Sequence, residues 1–202
     1  MKIKQIINPI TGLFILLNII IFVWLIMQYG MNAITGLKPI EMLHAGGTST
    51  HNNPFNWLTS LFVHGSLPHF ATNMIFFYIL GYIVESNINR YAYSIIYLLS
   101  GIIANLIFEI NNIGDVAVGA SGSIAGILGA LIVLTFDKNH YNHKILQQLR
   151  PMTLCITIIF FISTIFVKDA NLIIHITGFI VGIIATIGYI KIRQEKNSKK
   201  SN

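Results

Sequence analysis

The sequence predicts an all-α membrane protein, a bundle of six transmembrane helices with both termini in the cytoplasm. Of its 202 residues, 54% are hydrophobic and only 10% charged, where an ordinary soluble domain carries about 25%. So few charges cannot cover a water-facing surface, and the surrounding solvent must be largely lipid. Six apolar runs approach the roughly 20 residues that a helix needs to cross the hydrocarbon core. A backbone in lipid has to satisfy its own amides, and the short alternating patterns of barrel strands are absent, which leaves helices.

The runs cover residues 10–28, 67–84, 91–110, 119–136, 152–167 and 172–190. The first is too long for the core of a signal peptide, and no small-x-small cleavage site follows it, so it is expected to stay as a helix. The connection after it, 29–56, is the only long one on its side of the membrane. It mixes Pro39, Gly46, Gly47 and Pro54 with apolar Ile40, Met42 and Leu43, which suggests a piece lying in the membrane interface. The connection after the fourth run and the end of the chain, 197–202, are polar and expected to be mobile. The chain thus divides into a cytoplasmic N-terminus (1–9), a six-helix domain (10–190) and a basic cytoplasmic tail (191–202).

Charge sets the orientation. Lys2, Lys4, Glu85, Arg90, Asp137, Lys138, Lys144, Arg150 and the six charged residues between Lys191 and Lys200 fall on one side and total +8. Lys38, Glu41, Glu109, Asp115, Lys168 and Asp169 fall on the other and total −2, and together they recover the net +6 of the chain. Positive flanks stay in the cytoplasm. The same bias accounts for the basic balance without a nucleic-acid partner. Cys155 is the only cysteine, so neither an internal disulfide nor a cysteine metal cluster is possible. No internal repeat of the kind that builds many transporters is evident.

Polar groups at membrane depth are expensive, and each is a candidate for function. His69 and Asn73 lie four residues apart on the second run and share a helical face. Ser121 lies in Gly119-Ala120-Ser121-Gly122 at the start of the fourth. His175 lies near the start of the sixth, with Gly178 and Gly182 following on its face. These three helices all run inward from the outer side, and all four residues fall within their first turns, so they share one depth. His64 points to a different helical face from His69 and is read as a structural hydrogen-bond partner. His44, His51, His140 and His143 lie in connections and are read as solvated.

Residue type then dictates the chemistry. A serine hydroxyl is a weak nucleophile until a neighbouring base takes its proton. No carboxylate lies at this depth to orient a histidine, so a Ser121–His175 dyad fits better than a triad. His69, Asn73 and the amides at the start of the fourth helix are candidate donors to a developing oxyanion. Gly119, Gly122, Gly178 and Gly182 allow close approach of neighbouring backbones.

Four blocks resemble the rhomboid family of intramembrane serine proteases. They are the stretch from Leu58 through His64 and His69 to Asn73; Gly81-Tyr82-Ile83-Val84-Glu85 with Arg90 and Tyr97-Leu98-Leu99-Ser100-Gly101; Gly119-Ala120-Ser121-Gly122; and His175-x-x-Gly178-x-x-x-Gly182. The resemblance spans residues 57–189. It implies a rhomboid-type bundle in which Ser121 is the nucleophile and His175 the base, with His69, Asn73 and the Ser121 amide around the oxyanion. It implies cleavage of single-span membrane proteins from within the bilayer, without metal or cofactor. The expected setting is a multi-pass protein of the bacterial plasma membrane. Two departures stand out. The Trp-Arg pair common in the family's first loop is missing, and the position four after the serine, often a Tyr or Phe stacked on the base, is Ala125. The alternatives are a rhomboid-like protein that binds transmembrane clients without cutting and, from another class, a small-solute transporter or channel.

Overall fold

A computed structural model describes residues 8–50, 53–111, 116–139, 142–166 and 171–201. Lys2, Lys4, His51, Asp115, His140, Val167, Lys168, Asp169 and Asn202, used above, lie outside them. The described residues form helices joined by irregular segments, in the order α1 (Pro9–Tyr29), α2 (Met31–Thr35), α3 (Pro39–His44), α4 (Asn56–Thr59), α5 (Leu67–Glu85), α6 (Arg90–Ile110), α7 (Ser121–Phe136), α8 (His143–Phe166) and α9 (Leu172–Ser201). A 3-10 turn, Ser60–Phe62, follows α4. Helices α1, α5, α6, α8 and the Leu172–Lys196 part of α9 are long and apolar enough to cross a membrane. The fourth apolar run forms the shorter α7. The chain is an all-α, multi-pass integral membrane protein.

Helix α7 is the centre of the bundle. Every residue from Gly122 to Leu131 is buried, with α6 and α9 packed on it through small residues. It has 16 residues, about 24 Å at 1.5 Å per residue, against a hydrocarbon core of about 30 Å. The helix begins two residues later than the apolar run because Gly119 has φ 117°, a conformation no helix accommodates. A helix of this length falls short of the full hydrocarbon core, and an irregular segment leads into its start.

The two ends of α5 are tied down differently. At its start Ser66 accepts from the His69 amide at 3.4 Å, and Pro68 occupies the first turn, where its missing N–H costs nothing. At its end Glu85 reaches the start of α1. Its carboxylate accepts from the amides of Ile10 and Thr11 at 3.0 and 2.8 Å and from the Thr11 hydroxyl at 2.7 Å. These first-turn amides have no partner within α1, and the helix dipole favours a negative charge there. Thr11 also meets the Tyr93 hydroxyl at 2.7 Å, which joins α1, α5 and α6.

The long first connection contains α2 and α3 and ends where α4 begins, so its mixed composition reflects short helices. Glu41 accepts from the Lys38 amide and from Asn32, contacts that hold its carboxyl below the ordinary range. Helix α8 begins at His143, nine residues before the expected apolar start. It continues through Pro151, while Arg150 donates to the Thr135 carbonyl at 2.9 Å and lies 4.1 Å over the Phe136 ring, closing the C-terminal end of α7. Helix α9 runs unbroken to Ser201, because no Gly or Pro after Gly188 stops it.

Candidate active site

Helices α7 and α9 touch backbone to backbone. A Cβ at Gly178 would collide with the carbonyl of Gly122, and one at Gly182 with the carbonyl of Gly126. Both contacts advance by four residues in the same direction, so the helices run parallel. His175, three residues before Gly178, is then level with the chain just before Gly122, where Ser121 begins α7. A Cβ at Gly122 would in turn lie 3.0 Å from Ile174 and 3.2 Å from Ala104. Gly122, Gly178 and Gly182 thus lie in the contact between α7 and α9.

Gly119 acts otherwise. It belongs to the segment before α7, and a Cβ there would lie 2.8 Å from Cε1 and Nε2 of His69 and 3.7 Å from Nδ2 of Asn73. With its positive φ, only glycine fits. The segment is held from behind by Thr48, which exchanges two backbone hydrogen bonds with Ala117, and by Ser60, whose carbonyl accepts from the Gly119 amide at 2.8 Å. Asn105 fixes Ser60 in turn, donating to its hydroxyl and to the Trp57 carbonyl, both at 2.8 Å. Trp57 itself is bonded to Glu109. None of Thr48, Ser60 or Asn105 stood out in the sequence, since a lone polar residue in an apolar stretch carries no sign of its partner.

His69 and Asn73 lie on α5 as expected, one turn apart. One Asn73 amide proton is donated to the His69 carbonyl at 3.0 Å; its Nδ2 and the His69 ring border Gly119. His64 precedes α5 and so occupies no helical face. It is fully buried, its ring 5.2 Å from that of His69 and 5.4 Å from that of Phe70, and neither nitrogen makes a hydrogen bond of normal geometry. Burial, and then the neighbouring His69, push its pKa well below the ordinary value. A packed neutral ring replaces the expected hydrogen-bond partner.

His175 is 6% exposed. Its position is set by Asn171, which caps α9 by accepting from the amides of Ile173 and Ile174 at 3.0 and 3.1 Å. Nδ1 of His175 lies 2.7 Å from the Thr164 hydroxyl on α8, and the Phe160 ring lies 4.9 Å from the imidazole, tilted by 46°. Ala125, with no exposed surface, is buried within α7. No cluster of three or more metal-ligating side chains occurs among the described residues.

A family model for the rhomboid domain matches residues 51–192. The chain is 32% identical to "Rhomboid-like protein 11, chloroplastic" of Arabidopsis thaliana over 92 residues, covering 43% of this chain and 33% of that protein. It is 26% identical to "Rhomboid-like protease 3" of Toxoplasma gondii over 158 residues, covering 76% of this chain and 59% of that protein. The chain therefore spans a third of one relative and about three-fifths of the other. With the domain match covering most of its length, the chain belongs to the rhomboid family.

Proposed function

We propose that this protein is an intramembrane serine endopeptidase that cuts single-span membrane proteins with a Ser121–His175 dyad. The observation that carries the reading is the glycine contact between α7 and α9, which brings the starts of the serine and histidine helices to one level beside His69 and Asn73. His175 takes the Ser121 proton as Oγ attacks the scissile carbonyl carbon. His69, Asn73 and the Ser121 amide donate to the oxyanion, and the imidazolium then protonates the departing amine. Water, activated by the same base, attacks the acyl-enzyme and frees Ser121. The substrate has to be locally unwound, because an intact helix keeps each carbonyl hydrogen-bonded. No metal or cofactor takes part.

The test is incubation of the purified chain with a panel of transmembrane substrates. Products are expected with the wild type and not with Ser121→Ala; the same products from both would sink the reading. A second reading, a client-binding protein without activity, is favoured by Ala125, buried where an aromatic ring would support the base. Co-purification of uncut substrate with the wild type would select it.

Asn73→Ala is expected to lower turnover per folded molecule by about 10- to 10³-fold, against roughly 10²–10³ for loss of a single oxyanion donor in known cases. A change confined to melting temperature would make Asn73 a packing residue.

Orientation is part of the same proposal: both termini face the cytoplasm, and the nucleophile opens to the opposite side. With Cys155 replaced by alanine and a cysteine appended to the C-terminus, an impermeant maleimide should react only after lysis. Labelling of intact cells would reverse the assignment. The bacterial plasma membrane expected above finds no support in the two relatives, which are a plant and an apicomplexan protein.

A further inference from the structure

We infer that Thr164 positions the catalytic base by fixing the tautomer of His175. The inference rests on the proposed dyad and concerns how its histidine is held in the absence of an aromatic ring at Ala125. Thr164 is 5% exposed and its hydroxyl makes two contacts, 2.9 Å to the carbonyl of Phe160 and 2.7 Å to Nδ1 of His175. A threonine hydroxyl has one proton, and a carbonyl oxygen can only accept. The proton therefore goes to Phe160, in the usual i−4 back-bond of a helical threonine. Toward His175 the hydroxyl is an acceptor, so Nδ1 must carry the ring proton. In a neutral imidazole that leaves Nε2 bare, as a base that accepts the Ser121 proton requires.

The contact persists through the reaction. Once Ser121 has given its proton to Nε2, the imidazolium still donates Nδ1–H to the same oxygen, now as a charge-assisted bond. Thr164 gains and loses no proton; it orients the ring and selects the tautomer. The Phe160 ring covers one side of the imidazole at 4.9 Å, so α8 supplies both the polar and the aromatic support. Thr164 is thus a neutral counterpart of the carboxylate of a triad, suited to a site where a buried charge would be costly.

Three variants of the full chain separate this role from packing. Thr164→Val keeps the shape and removes the hydroxyl. Its turnover number, and the rate at which a fluorophosphonate labels Ser121, should fall on the order of 10- to 100-fold, part of the 10²–10⁴ a general base supplies, with KM and melting temperature near wild type. Thr164→Ser should recover most of the rate, and Ser121→Ala should take no label. In parallel, ¹⁵N-histidine NMR of the wild type, with the His175 resonance assigned by its loss in a folded His175→Ala or His175→Gln variant, should show the Nδ1–H tautomer. An Nε2–H tautomer in the wild type, or Thr164→Val labelling at the wild-type rate, would overturn the inference while leaving the dyad in place. A folded wild type that neither cleaves nor takes label would instead remove the dyad reading itself.

Discussion

Ser121→Ala and His175→Ala are each expected to lower turnover by about 10⁴-fold or more, and the double variant by no more than the worse of the two. In a serine hydrolase the hydroxyl and its base act as one unit, so removing either leaves nothing for the other to do. What survives in any of the three comes from donors and positioning alone, a residual of roughly 10³–10⁴ over water in known cases. The packing around both residues makes the comparison clean. Ser121 is the first residue of α7 and half-buried, so alanine deletes one oxygen without opening a core cavity. His175 is buried, and its truncation also strips the Thr164 hydroxyl of a partner. His175→Gln, closer in volume and able to bond Thr164, is the better second variant. Strictly additive losses, with the double variant far slower than either single, would mean that the two residues act on separate steps.

The features legible in the sequence were those governed by run length and by side chains that stand out against lipid. Leu172 was read as the start of the last helix, and the run ending at Phe136 finishes where α7 does. His69, Asn73 and His175 were visible because such groups are rare in apolar runs. The supports of the site were not visible. Thr164 sits in an ordinary Ile/Phe/Thr stretch, and Thr153 and Thr157 on the same helix make the same i−4 back-bond. What sets Thr164 apart is a contact across to α9, and no local pattern encodes it. His64, five residues before His69, is expected on another face of the same helix, whereas Ser66 and Pro68 start that helix later. Gly119 and Gly122 are alike expected to admit a neighbouring backbone, but a positive φ sets Gly119 outside the helix, where it borders the His69 ring instead.

This division bears on the missing aromatic. Ala125 removes a ring from α7, and Gly126 and Gly129 beside it would not accept larger side chains either. A Cβ at Gly126 would strike the Ser100 hydroxyl, and one at Gly129 the Phe179 carbonyl. The serine helix is packed too tightly along this length to carry the support of the base on its own face. Support comes instead from α8, where Phe160 and Thr164 lie one turn apart and both reach His175. An aromatic at position 125 is therefore expected to disturb the α7 packing rather than to restore a lost stacking partner.

Gly182→Val is expected to lower turnover by 10²-fold or more while the protein still inserts with its normal topology. A glycine on a membrane helix can face lipid or lie between helices. In the first case valine would be nearly harmless. The structure decides for the second, because a Cβ at Gly182 points into the Gly126 carbonyl, with the Cα and carbonyl carbon of the same residue each 2.6 Å away. Backbone cannot rotate aside as a side chain can, so α7 and α9 must separate. In lipid that close packing is itself the main force holding two helices together, since no hydrophobic gain opposes their parting. A separation on the order of 1 Å at Gly182 is carried two turns up to His175, and a misplacement of that size can cost 10²-fold in rate. The loss should appear in the turnover number and in fluorophosphonate labelling of Ser121, and Gly182→Ala should already show much of it. Gly188 provides the control. It lies on the same helix with nothing within 4 Å of its would-be Cβ, so Gly188→Ala should leave activity unchanged and favour the helix by up to about 1 kcal/mol. Equal activity in Gly182→Val and Gly188→Ala would mean that the distance between these helices does not set the rate, and the glycine contact would then no longer link the serine to the histidine.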